Sequence, residues 1–186
     1  MSQLFDVQQF VAECLDAALD QAAVADVVQR AVTDPDSIEA TLTRKLRMTD
    51  LGILHYSDKL TIQHVVFPPD HRTGIHDHLT WAVIGTWAGY EDNHLYRREE
   101  NGLSEIAVSR CEPGQVITLS ADVIHEVHAP PRSASAALHV YNGPLFDQPR
   151  HAWSGQPPSA APIDDAAYLD RYLADLKAAD ALIESS

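Results

Sequence analysis

At 186 residues, against roughly 150 residues per domain, the chain is expected to form a single domain, and a hydrophobic content of 45% excludes disorder as its overall state. Thirteen basic residues against 27 acidic ones leave a formal net charge of −14, which repels a phosphate backbone or an anionic membrane and sets nucleic acid aside as a partner. No run approaches the roughly 20 apolar residues that cross a bilayer, and no Lys or Arg precedes Arg30 to start a signal peptide, so a soluble, cytoplasmic protein with no membrane partner is expected.

Leu4, Val7, Phe10, Val11, Cys14, Leu15, Ala18 and Leu19 recur at intervals of three and four, which is one apolar face of a helix. A second helical stretch is predicted over 22–32. A third runs over 37–44, with Asp34 as its cap and Pro35 at the first helical position. From Lys59 the pattern changes: residues 60–67 alternate with period two and Pro68-Pro69 stops them, as expected of a strand. Further strands are predicted over 80–88, 91–98, 104–110, 115–119, 123–128 and 134–141, separated by Gly89, Asn101-Gly102, Pro113-Gly114 and Pro130-Pro131. Asn101-Gly102 is a hairpin signal, and short strands without helices between them predict an antiparallel sandwich or barrel. The β pattern is expected to end after Phe146. Residues 155–162 read as a loop, and 164–183 as a closing amphipathic helix carrying Tyr168, Leu169, Tyr172, Leu173 and Leu176. The two cysteines, Cys14 and Cys111, are too few for a disulfide framework or a Cys-rich metal site and are expected to be reduced thiols.

Ten histidines is a high number, and their placement is more informative than the number. Residues two apart in a strand share a face, so the imidazoles of His76-Asp77-His78 would project together into a barrel interior, with Cα atoms about 6–7 Å apart. That suits two neighbouring ligands of one metal ion, although an isolated pair of this kind also occurs on exposed strands.

The surrounding spacing resembles the first motif of the cupin family, in which the two histidines are followed by a glutamate and, after six intervening residues, a glycine. Here Ala82 stands at the glutamate position and Gly89 at the glycine. The second cupin motif is matched from Gly114 to His125, with Ser120 and Asp122 in place of its proline and second glycine. The resemblance implies a mostly β fold: a cupin barrel, a double-stranded β-helix or jelly roll, with N-terminal helices and a C-terminal helix. In domain terms, 1–186 is one cupin domain, made of a helical addition over 1–45, the barrel over 50–153 and the closing helix over 164–184. His76, His78 and His125 become the metal ligands. Without the carboxylate, three neutral imidazoles leave a divalent ion its full charge, which favours anionic ligands such as thiolate. An open face on such an ion suits non-haem Fe(2+) better than a closed structural zinc.

With Ile75-His76-Asp77-His78, Trp81-Ala82-Val83-Ile84-Gly85, residues 122–128 and Leu138-His139-Val140-Tyr141, the chain resembles the thiol dioxygenases of the cysteine dioxygenase superfamily. It is most similar to the bacterial 3-mercaptopropionate dioxygenase branch, over roughly residues 50–153. The resemblance implies a three-histidine Fe(2+) that adds both atoms of O2 to a small thiol carboxylate, giving a sulfinate. It makes His139 and Tyr141 the outer-sphere catalytic pair, which period-two geometry places on one strand face; the alternative is that they are strand-core residues. Where the family has a serine two residues before the histidine, this chain has Ala137. Ser135 is the candidate substitute, and without one the tautomer of His139 is less firmly fixed. No cysteine accompanies Trp81, Ala82 and Val83, so the crosslink to tyrosine of mammalian-type enzymes cannot form.

The arginine that those enzymes place well before the His-x-His has no counterpart around residues 48–54. The bacterial branch instead uses one after the His-Val-Tyr segment, and Arg150 has the matching spacing. A guanidinium binds a carboxylate bidentately, so Arg150 is the substrate-binding candidate and Arg72 the reserve. His64, on a strand face with Ile62 and Val66, lines the pocket or is a satisfied core residue, and His55, His71, His94, His128 and His151 have no useful spacing. Trp81, Trp87 and Trp153 read as core or rim aromatics, and the terminal helices as packing elements outside the barrel. The alternatives are another metal-dependent cupin reaction, such as ring cleavage or isomerisation, and a non-catalytic cupin that binds a small molecule. Which thiol is used, and the oligomeric state, are not written in the sequence.

Overall fold

A computed structural model describes residues 4–42 and 52–184. The last two residues of the predicted third helix, and most of the 48–54 stretch, lie outside the described residues. Among the described residues three helices come first: α1 (Val7–Asp16), α2 (Gln21–Val32) and α3 (Pro35–Leu42). Each starts at an aspartate whose carboxylate accepts otherwise unpaired backbone N–H groups of the first turn. Asp6 takes Gln8 and Gln9, Asp20 takes Ala22 and Ala23, and Asp34 takes Ser37.

Among the described residues eleven strands follow: β1 (Ile53–Tyr56), β2 (Leu60–Phe67), β3 (Ile75–Asp77), β4 (Ala82–Ala88), β5 (Glu91–Glu99), β6 (Gly102–Cys111), β7 (Val116–Leu119), β8 (Ile124–His128), β9 (Ser135–Asn142), β10 (His151–Ser154) and β11 (Ser159–Pro162). They form two antiparallel sheets, ordered β1-β2-β9-β4-β7 and β11-β10-β3-β8-β5-β6. Apart from the β5-β6 hairpin, successive strands from β2 to β9 cross between the sheets, giving the inner orders 2-9-4-7 and 3-8-5-6. That is the strand order of an eight-stranded jelly roll, the double-stranded β-helix of a cupin.

The five-stranded sheet is buried on both faces, so β4 and most of β9 read as almost unbroken apolar runs. On its outer face α1 to α3 bring Phe10, Cys14, Val24, Val28 and Ile38 against Leu60, Ile62, Val83, Leu138 and Val140. Gly85 lets α2 approach, because a Cβ there would sit 2.4 Å from Val28 Cγ1. Gly89, at the glycine of the first motif, has φ +63 and faces the Ala134 carbonyl, which a Cβ would meet at 2.4 Å; both contacts exclude a larger residue. The inner face carries Ala82, Ile84, Leu119, Ala137 and Tyr141.

Two expectations are corrected after Phe146. The β pattern does not end there, and 155–162 is not wholly loop: β10 and β11 form a hairpin added to the edge of β3, with Ala152 opposite His76. All four β11 residues are exposed, so no apolar alternation marks the strand. The closing helix α4 (Asp165–Glu184) is not merely an external packing element either. Its first turns supply Asp165, Tyr168, Arg171 and Tyr172 to the wall of the central cavity. Among the described residues no helix is long and apolar enough to cross a membrane.

Candidate metal centre

β3 and β8 pair so that His76 lies directly across from His125. β3 ends at Asp77, one residue short of the predicted pair, and His78 is turned inward at the start of the crossing to the other sheet. Leu79, next in the chain, has φ 56, a left-handed conformation that costs a non-glycine residue about 1–3 kcal/mol. Asp77 faces away from the histidines: its carboxylate takes the backbone N–H and the Nδ1 of His151 at 2.7 and 3.1 Å. It thereby ties β10 to the metal strand.

The three imidazoles converge through Nε2. His78 Nε2 lies 3.2 Å from that of His76 and 3.4 Å from that of His125, and one ligand atom from each residue falls within 4.8 Å of the others. On the far side of two rings a fixed acceptor selects the tautomer. His76 Nδ1 donates to the Gly74 carbonyl at 2.9 Å, and His125 Nδ1 to the Asn93 side-chain oxygen at 3.0 Å. Each bond leaves the Nε2 lone pair aimed at the common centre. Burial, the first cause in each case, lowers the pKa of His76 and pushes those of His78 and His125 well below the ordinary value; neighbouring imidazoles lower His78 and His125 further. All three are therefore neutral at pH 7, the state that ligates a metal.

These residues fit a divalent transition metal. An ion about 2.0–2.1 Å from each imidazole nitrogen sets neighbouring ligand nitrogens about 3.0–3.4 Å apart, the separation found for the two pairs that His78 makes. Ala82, at the cupin glutamate position, is buried and pairs with Leu119 and Tyr141. The candidate ligand set is thus three imidazoles without a carboxylate.

Beyond the ligands, His139 and Tyr141 share the inner face of β9. His139 Nδ1 and the Tyr141 hydroxyl are 2.9 Å apart, and the tyrosine ring meets His78 edge-on at 4.9 Å between centroids. Burial, followed by the charges of Tyr168 and Glu91, raises the Tyr141 pKa, so it stays a neutral phenol. Ala137 brings nothing polar. Ser135, the expected substitute, does not reach His139; its hydroxyl lies 3.4 Å from Glu91, whose other oxygen faces His139 Nε2 at 3.5 Å. Neither cysteine is near this pair in role: Cys14 is buried in the helical layer and pushed up to about 12 by burial, and Cys111 donates to the Gln115 carbonyl.

A cavity of about 620 Å³ contains the three ligands, His139, Tyr141, Arg150 and Tyr168 in its wall. Arg150 is only 8% exposed. One of its terminal nitrogens bonds Asp165 at 2.6 Å, while Nε has no partner among the described residues. Arg72 is exposed and is not in that wall. Of the remaining histidines, His64 lines the cavity, as expected, and stacks on Trp87; His71 bonds Asp175 of α4 at 2.6 Å, His94 packs against His128, and His55 pairs with Ser57. Sequence reasoning missed Glu91, Asn93, Asp165 and Tyr168. For the first two the available signal was a pair of polar residues on one face of β5; for the last two no local signal exists.

No family model matches the chain. Among solved structures, one described as DMSP lyases RdDddP and RnDddQII is similar at 20% identity, covering 49% of this chain and 42% of that one, with a TM-score of 0.38. A conserved protein with a double-stranded β-helix domain from Klebsiella pneumoniae is similar at 10% identity, over 54% and 75% of the two chains, with a TM-score of 0.44. Oxalate oxidase in complex with glycolate is similar at 12% identity, over 46% and 42%, with a TM-score of 0.39. The chain thus spans less than half the length of the DMSP lyase and oxalate oxidase chains that it matches.

Proposed function

We propose that the protein is a non-haem Fe(2+) thiol dioxygenase that converts a small mercapto-carboxylic acid, such as 3-mercaptopropionate or cysteine, and O2 to the sulfinic acid. The observation that carries this reading is one cavity holding three neutral imidazoles without a carboxylate, a buried phenol-imidazole pair and a buried guanidinium. Both oxygen atoms end on sulfur, and the thiol proton is retained by the acid, so no further reductant is needed.

A ferrous ion held by His76, His78 and His125 would lower the pKa of the thiol and provide open positions for thiolate and O2. The chain's own groups do the rest. Arg150 takes the substrate carboxylate, an assignment suited to a protein whose overall charge repels anions. Its present partner Asp165, half exposed at the start of α4, has to give way. Tyr141 offers its hydroxyl beside His78, and Phe67, Val127 and Leu145 make the cavity wall apolar, which strengthens each polar contact inside it.

The test is oxygen uptake by Fe(2+)-loaded protein over a panel of small thiols with and without carboxylates, with metal-free protein as control. Uptake confined to mercapto-acids, with sulfinate as product, is expected. No uptake with one iron bound per chain would overturn the reading. A second reading, a metal-dependent cupin that binds a small acid without oxidising a thiol, draws on the Arg150–Asp165 pair and on Ala137; thiol binding without oxygen consumption would select it.

A further inference from the structure

Glu91, at the start of β5, has no exposed surface, and nothing described above accounts for it. A carboxylate taken out of water without donors or a counter-charge costs several kcal/mol or more, so its neighbours matter. Oε1 is 3.4 Å from the Ser135 hydroxyl and Oε2 is 3.5 Å from His139 Nε2. Those last two atoms are both fully buried and have no other partner among the described residues. The opposite edge of the same ring meets the Tyr141 hydroxyl at 2.9 Å. Ala137, between Ser135 and His139 on this face of β9, has no polar atom with which to hold the ring from its own strand.

We propose that Glu91 is the positioning residue of the His139–Tyr141 pair: its carboxylate faces Nε2–H of His139 and thereby fixes which ring nitrogen carries the proton. A neutral imidazole has one N–H. With that proton on the Glu91 side, Nδ1 is an acceptor, the Tyr141 O–H points at it, and the phenol oxygen turns its lone pairs to the cavity. Tyr141 then meets a bound ligand first as a hydrogen-bond acceptor, so the group it suits beside it is one that carries a hydrogen-bond donor. The tautomer assignment stands on these contacts alone, while its use in turnover rests on the thiol dioxygenase reading.

The decisive experiment is nitrogen-15 NMR of the histidine rings in the metal-free protein at mildly alkaline pH, comparing wild type, Glu91→Gln and Glu91→Ala. In wild type His139 is expected with Nε2 protonated and Nδ1 bare, opposite to His76 and His125, which serve as internal references for Nδ1–H. Glu91→Gln should retain that tautomer, since the amide oxygen still accepts, and Glu91→Ala should lose it for a mixture of both forms. A bare Nε2 in wild type overturns the proposal even if neither variant folds, and so does an unchanged tautomer in Glu91→Ala. Metal content gives a second check: Glu91→Gln should keep one ion per chain, whereas loss of the ion would make Glu91 a ligand and not a positioning residue. Failure of thiol oxidation with the expected tautomer would remove the proposed reaction and leave this assignment in place.

Discussion

Strand β9 turns Ala136, Leu138 and Val140 toward the N-terminal helices and Ser135, Ala137, His139 and Tyr141 toward the barrel interior, and both sets are buried. The outer set meets valines and an isoleucine, and each fully buried aliphatic side chain there contributes about 1.5–3 kcal/mol by leaving water. On the inner set burial works the other way, because every polar atom it covers has to find a partner or lose about 1–3 kcal/mol. The inner face answers partly within the strand and partly from β5: His139 meets the Tyr141 hydroxyl, and Glu91 faces Ser135 and His139. Equal burial therefore marks apolar packing on one face of the strand and a buried polar cluster on the other, and what separates them is where the polar atoms find their partners.

The sharpest break in that comparison is expected from His125→Ala. It should abolish metal retention and thiol-dependent oxygen uptake, measured by metal analysis and an oxygen electrode, with the circular-dichroism spectrum unchanged. Wild-type-like turnover would remove the assigned site. Leu138→Ala should do the reverse: a loss of about 2–5 kcal/mol in unfolding free energy, read from urea titration, with one metal still bound per folded chain.

Proton linkage separates the faces without a mutation. Burial lowers the pKa of His71, His76, His78 and His125 from the ordinary 6.5. In the unfolded chain these rings take up protons as pH falls through 6.5, whereas in the fold they stay neutral to lower pH, so below 6.5 the unfolded state binds more protons. Their contribution to stability is whole above 6.5 and shrinks as pH drops below it. Thermal melting of the metal-free protein should show a plateau above about pH 7 and a decline below it; a flat profile would contradict neutral, buried ligands. One step smaller is Asn93→Ala, which removes the acceptor that orients His125. Loss of such an outer partner typically weakens metal binding by about 10–100-fold, measurable by chelator competition.

The outer face was the legible one. Three-and-four spacing located α1, Asp34-Pro35 marked the start of α3, period-two alternation located β2, and the β-prone run after Pro130-Pro131 located β9 within a residue. The cluster of His76, His78 and His125 was legible because two of them lie in three consecutive residues and the third stands at a fixed distance from Gly114. What stayed hidden depends on pairing between distant segments. β11 is exposed along its length and is defined only by backbone bonds to β10. Glu91 looks like a surface residue after a turn until Ser135 and His139, 44 and 48 positions further on, close over it. His71 finds Asp175 across 104 residues, and no periodicity encodes that contact.

The smallest expected effects concern the cation in the cavity wall, where the inner face meets α4. Arg150→Ala should raise KM for mercapto-acids by about 10–100-fold, the scale of a charge-assisted hydrogen bond of about 1.5–3 kcal/mol, and leave KM for an uncharged thiol nearly unchanged. Equal effects on both would argue against a carboxylate clamp. Asp165→Asn tests the same guanidinium from the other side. Asp165 holds Arg150 at 2.6 Å while half exposed, and an ion pair open to solvent on one side is worth only about 0–1 kcal/mol. An incoming substrate carboxylate would displace it at that small cost, so removing the charge should lower KM for mercapto-acids by no more than about fivefold. A rise in KM would instead mean that Asp165 holds Arg150 in its binding position, and the start of α4 would then be part of the substrate site and not a competitor for it.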